Sequence, residues 1–175
     1  MENEIITAYI SLGSNLGDRA GNLLLAVRGL LEAHLSVYRL SALYETEPWG
    51  VDSHENYLNM VAEIHLTNVS PEQLMARMLR IEYLLGRRNK YQLAPRTVDL
   101  DVLFYGELQY KNDFLTIPHP LMHERKFVLM PLAEIAPHFV HPVFNKTVLE
   151  LLEEVEDDSE VWRWYPIKRK LLSGL

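Results

Sequence analysis

The sequence predicts an α+β domain: one antiparallel sheet with helices on one face, followed by a C-terminal extension. Three observations predict it. Apolar residues alternate with period two in three separated segments, around 6–12, 57–66 and 98–104. Two intervening segments repeat apolar residues at helical spacing. Each helical segment opens at a capping residue, and the second stops at a glycine.

Taken in order, Ile6, Ala8, Ile10 and Leu12 alternate with Thr7, Tyr9 and Ser11 and read as a first strand ending at the turn GSNLGD. Asp18 can cap the helix that follows over about 19–33, where Leu23, Val27, Leu30 and Leu31 recur at helical spacing. Residues 35–44 and 57–66 read as two strands, the second with Leu58, Met60, Ala62, Ile64 and Leu66 on one face. Ser70, Pro71 and Gln73 form a capping-box start with proline at the first helical position, Leu74, Met78, Ile81 and Leu85 give the buried stripe, and Gly86 is the stop. A strand from 98 follows, placing Val98, Leu100, Val102 and Phe104 on one face and Asp99, Asp101, Leu103 and Tyr105 on the other. Strand, helix, strand, strand, helix, strand is the split βαβ, or ferredoxin-like, plan. Beyond Gly106 lie a proline-rich stretch, a helix predicted at 147–155, and a tail at 156–175 that the sequence leaves unassigned: a docked strand, a dimer contact or a frayed end.

At 175 residues the chain is expected to form a single domain over 1–175 with a sizeable core. It contains no cysteine, which excludes disulfides and thiolate metal sites, so any metal must take oxygen or imidazole ligands. No segment is apolar enough to span a membrane, and the start MENE lacks the features of a signal peptide, so a cytoplasmic location is expected. The net charge of -7 argues against nucleic acid as a partner. Basic residues nevertheless gather at Arg77, Arg80, Arg87, Arg88, Lys90 and Arg96, just ahead of an acidic pair.

That pair, Asp99 and Asp101, is the chemical signal. Aspartate suits strands poorly, yet alternation projects both carboxylates to one side, roughly 7 Å apart at about 3.3 Å rise per residue. Such a pair can hold hard cations, and a cationic patch beside it suits a metal-bound polyphosphate. An exposed sheet face that happens to carry two acids is the alternative. Two long polar connections, 45–56 and 87–97, read as functional lids or binding loops, with disorder as the alternative.

Six segments in a fixed order, AYISLGSNLGDR, YETEPWG, NYLNMV, LRIEYLLGR, APRTVDLDVLFYG and TIPHPLMHERKFVLMPLAEIAP, resemble the 6-hydroxymethyl-7,8-dihydropterin pyrophosphokinases of folate biosynthesis. The resemblance covers residues 6–144. It implies transfer of diphosphate from the substrate ATP to the pterin hydroxymethyl group, releasing AMP. By that resemblance Asp99 and Asp101 hold two Mg2+ ions, Arg87, Arg88 and Arg96 sit near the phosphates, and Arg80, Glu82, Val102, Thr116, His119 and Arg125 serve the nucleotide side. The pterin edge is read by Thr46, Glu47, Pro48, Trp49, Asn59 and Asp99, and Tyr57 and Phe127 sandwich the ring. The sequence departs from the family pattern at Leu79, Leu93, Pro120 and Glu47, and the loop ending at Arg96 is one residue short.

Three other readings compete. They are a nucleotidyltransferase, from GSN and D-x-D; a ferredoxin-like module binding RNA or another ligand on its sheet; and a zinc site at His119 and His123. For assembly, a monomer is expected, with a weak homodimer through the tail as the alternative.

Overall fold

In the computed structural model, which describes residues 4–47, 55–86 and 96–166, the chain runs β1 (Ile6–Ser14), α1 (Arg19–Glu32), β2 (Ser36–Leu40), β3 (Tyr44–Thr46), β4 (Tyr57–Leu66), α2 (Pro71–Leu84), β5 (Asp99–Tyr105), β6 (Tyr110–Lys111), β7 (Thr116–Ile117), a 3-10 turn (Met122–Glu124), α3 (Lys126–Ile135), α4 (Val148–Glu154) and β8 (Val161–Arg163). The main sheet has the order β5-β1-β4-β3-β8, with β2 also pairing along β4. Every pairing in it is antiparallel. The predicted strand at 35–44 is two strands: β2 runs beside Ala62–His65 and β3 beside Tyr57–Asn59.

The helix starts form for the expected reasons. Asp18 accepts a hydrogen bond from Gly21 N at the head of α1. Ser70 and Gln73 satisfy each other's backbone N–H groups at the head of α2. The two helices pack closely at Gly29, where a β-carbon would stand 2.9 Å from Ile81. Their apolar stripes cover the sheet face that carries Ala8, Ile10 and Leu12 of β1, Leu58, Met60, Ala62, Ile64 and Leu66 of β4, and Val98, Leu100 and Val102.

Helices on one face of the sheet is corrected by the structure: α3 and α4 cover the other face. Val128, Leu129, Leu132 and Ile135 of α3 and Val148 and Leu151 of α4 close over Tyr9, Val61, Leu103 and Phe104. No helix is expected at α3 from the sequence, since Pro131 lies inside it and prolines crowd its flanks. The second core is nevertheless spaced as a helix.

A β-bulge in the pairing of β1 with β5 corrects a second expectation. Tyr9 pairs with Phe104 but Ile10 pairs with Val102, so Leu103 is the extra residue. Phe104 therefore joins Leu103 on the α3 face, and Tyr105 returns to the α1–α2 face, where its hydroxyl donates to Val69 O at 2.6 Å. Asp99 and Asp101 precede the bulge and keep the predicted side.

Part of the tail is a docked strand. β8 pairs with β3, matching Thr46 to Val161, and Thr46 Oγ1 donates to Glu160 O at 3.2 Å. On the α3 side, His141 is 2% exposed. Its Nδ1 accepts from Val143 N and Phe144 N, and burial first, then the nearby His123, push its pKa down to about 4.

Candidate functional site

The register of three strands builds the site. Gly13 of β1 pairs with Asp99 on one side and with Asn59 on the other, and Ser11 pairs with Asp101. All project to the face that α3 covers further along. At this end Phe127 and Val128 of α3 line, together with the strands, a cavity of about 160 Å³.

Ten predicted residues line that cavity. They are Asp99, Asp101 and Arg96 from the acidic strand and its approach; Thr46, Glu47, Tyr57 and Asn59 from β3, β4 and the residue after β3; and His119, Arg125 and Phe127 from the chain after β7. Arg96 Nη1 donates to Asp99 Oδ2 at 2.8 Å, a charge-assisted contact between side chains 13% and 24% exposed. Asp99 is thus held in place, partly buried, without loss of access to solvent.

Asn59 is 5% exposed, and its Nδ2 has no hydrogen-bond partner among the described residues. A buried amide donor left so costs free energy unless a ligand engages it. Gly13 makes room for it: a β-carbon there would lie 3.0 Å from Asn59 Oδ1. Tyr57 and Phe127 flank the same space, and the Arg125 guanidinium stands 5.9 Å from the Phe127 ring centre.

A second depression of about 240 Å³ shares Asp101 and His119 with the first and is lined further by Val102, Thr116 and Phe114. His119 N donates to Leu103 O at 3.0 Å, and His119 Nδ1 accepts from Leu121 N at 3.2 Å. That acceptance fixes the ring hydrogen on Nε2. Glu82 is buried under the floor, where its Oε1 accepts from Leu100 N, between the two aspartates, at 2.7 Å.

Arg80 is the described candidate that the structure sets apart, since it lines a groove between α1 and α2 with Arg28, Arg77 and Leu84. Pro48, Trp49, Arg87 and Arg88, and most of the two binding loops, lie outside the described residues. Sequence reasoning did not select Ser11, Gly13, Leu103 or Val128, all of which line the cavity. For Ser11 and Gly13 the signal was present: they alternate with Leu12 on the strand whose neighbours carry Asp99 and Asn59.

Two competing readings lose ground on geometry. A sheet that binds RNA by stacking needs a broad open face, and helices here cover one face and most of the other. Among the described residues no cluster of three or more ligating side chains could enclose a zinc ion.

Comparison with known proteins identifies the family to which this chain is similar. The family model described as 7,8-dihydro-6-hydroxymethylpterin-pyrophosphokinase (HPPK) matches residues 9–137. The chain is 45% identical over 130 residues to the 2-amino-4-hydroxy-6-hydroxymethyldihydropteridine pyrophosphokinase of Bacillus subtilis, covering 73% of this chain and 77% of that one. It is 34% identical over 148 residues to the enzyme of the same name from Aquifex aeolicus, covering 85% and 91%. In fold it is similar to the HPPK-DHPS protein of Plasmodium falciparum, with a TM-score of 0.69 at 17% identity over 87% of this chain and 45% of that one. With most of its length matched by the family model and by relatives that it covers over most of theirs, the chain belongs to the 7,8-dihydro-6-hydroxymethylpterin-pyrophosphokinase family.

Proposed function

We infer that this pyrophosphokinase of folate biosynthesis transfers the terminal diphosphate of ATP to the hydroxymethyl group of 6-hydroxymethyl-7,8-dihydropterin. The single observation that carries the site assignment is the gathering of Asp99, Asp101, Arg96, Asn59, Tyr57 and Phe127 around one cavity. In the reaction the pterin oxygen bonds to Pβ and the bond from Pβ to the oxygen bridging Pα breaks. AMP leaves with that oxygen, and the hydroxyl proton passes to solvent.

Asp99 and Asp101 fit magnesium. Two hard oxygen donors without imidazole or thiolate suit an ion that takes its remaining ligands from phosphates and water. Two ions are inferred, and when bound they neutralise charge on the phosphate oxygens. The chain's own residues do the rest. Arg96 orients Asp99, Asn59 offers Nδ2 to the pterin edge beside Thr46 and Glu47, and Tyr57 and Phe127 hold the ring flat. His119, Arg125, Thr116 and Val102 line the nucleotide side, and Arg87 and Arg88 are assigned to the phosphates by family position. Pro48 and Trp49 are assigned to the pterin side in the same way.

The strand order supports a ferredoxin-like plan for the core, with β2 and β3 together filling the place of its second strand. A monomer in the cytoplasm is inferred; no described helix is long and apolar enough to cross a membrane. Incubation with ATP, magnesium and the reduced pterin, followed by nucleotide analysis, tests the function. AMP formed in equal amount with pterin diphosphate supports it; ADP, or no pterin-dependent AMP, overturns it.

A further inference from the structure

The segment from the end of β1 to the first residue of α1, residues 13–19 (GSNLGDR), bonds to residues on both substrate sides of the cavity. Asn15 is 0% exposed and pairs twice with the backbone of Arg96: Asn15 N donates to Arg96 O at 3.2 Å, and Asn15 Oδ1 accepts from Arg96 N at 2.8 Å. Arg96 in turn donates to Asp99. Four residues on, Arg19 Nη1 donates both to Glu45 Oε1 at 2.9 Å and to Asn56 O at 2.7 Å. Glu45 precedes Thr46, and Asn56 precedes Tyr57. The Arg19 and Glu45 side chains are only 21% and 17% exposed, so this is no freely solvated ion pair of little worth.

The turn itself is braced. Gly17 adopts a φ of 66°, which favours glycine, and Asn22 of α1 donates to Leu16 O at 2.8 Å. Asn15 and Arg19 are thereby referred to the same rigid helix start.

We propose that Asn15 and Arg19 are positioning residues for the two substrates. Asn15 sets Arg96, and through it Asp99, on the phosphate side; Arg19 sets Thr46 and Tyr57 on the pterin side. Neither need touch a substrate. The inference rests on the pyrophosphokinase reading, but it makes a claim that reading does not: one turn registers the acceptor against the donor, and its two arms act on different parameters.

The test uses the full chain and the variants Asn15→Ala, Arg19→Ala and Arg19→Lys. Melting curves, pterin affinity, affinity for a non-hydrolysable ATP analogue, and AMP release are measured for each. Arg19→Ala is expected to weaken pterin binding about tenfold with ATP-analogue affinity within about twofold of wild type. Because one nitrogen makes both Arg19 contacts, the single ammonium supplied by Arg19→Lys should recover most of the loss. Asn15→Ala is expected to lower kcat at least about tenfold while pterin affinity stays within about twofold. Parallel loss of both affinities in step with melting temperature, or no change in either, overturns the proposal. Should Asn15→Ala not fold, Asn15→Ser is measured and the same outcomes decide. A wild-type chain that forms no AMP overturns the function instead, while the binding measurements, which need no turnover, still judge Arg19.

Discussion

Asp99 and Asn59 stand opposite Gly13 on its two neighbouring strands, on the same face of the sheet. Two strand spacings separate them, about 9.6 Å at about 4.8 Å each. One glycine therefore spaces the carboxylate assigned to metal from the amide assigned to the pterin. Gly13→Ala should push the Asn59 side chain, since the new β-carbon falls 3.0 Å from Oδ1. Pterin affinity is expected to drop about tenfold, with ATP-analogue affinity little changed; calorimetric titration with each ligand checks this.

Removal of either acid should act on turnover. Asp99→Ala and Asp101→Ala are each expected to lower kcat at least about a hundredfold, because charge neutralisation at a transferring phosphoryl group is worth several kcal/mol. The fold should persist, since neither carboxylate sits in either apolar cluster. Near-normal kcat in a well-folded variant would remove that residue from the metal site.

The ring sandwich proposed for Tyr57 and Phe127 gives a test that separates the two substrates. Stacking on a heteroaromatic ring is worth about 1 to 3 kcal/mol by alanine substitution, so Tyr57→Ala or Phe127→Ala should weaken pterin binding about 5 to 150-fold. ATP-analogue affinity should hold. If the rings served only as core, melting temperature and both affinities would fall together.

His141 makes stability depend on pH. Its pKa is depressed in the fold, so between about 6.5 and about 4 the unfolded chain binds the extra proton and the folded chain does not. The sign follows: stability is intact above about pH 6.5 and declines as pH falls through this window. In His141→Asn the new side-chain amide does not titrate, and its Oδ1 can still accept from the N–H groups of Val143 and Phe144. A shallower acid slope in urea unfolding is therefore expected. An unchanged slope relative to wild type would absolve His141.

Much of this was legible in the sequence, for reasons visible in particular residues. Period-two alternation placed Asp99 and Asp101 correctly because nothing irregular precedes them on β5. It failed at Phe104 and Tyr105 because the bulge at Leu103 is set by pairing with β1, a relation no local pattern records. Capping chemistry located α1 and α2 at Asp18 and Ser70, whereas Pro131 masked α3 and with it the second layer. Individual site residues came from family likeness. Their meeting in one cavity came from strand register, which also brought in Gly13 and Ser11.

The second helical layer has a consequence for how this enzyme can be improved. Ser11, Gly13, Asn59, Asp99 and Asp101 occupy the stretch of sheet where the layer stops, between Tyr9, Val61 and Leu103 under α3 and the open end of the strands. Apolar residues at those five positions would extend the core and raise thermal resistance while abolishing turnover. Selection for robustness alone would therefore drift toward a sealed, inert protein, and screens for hardier variants should hold these positions fixed.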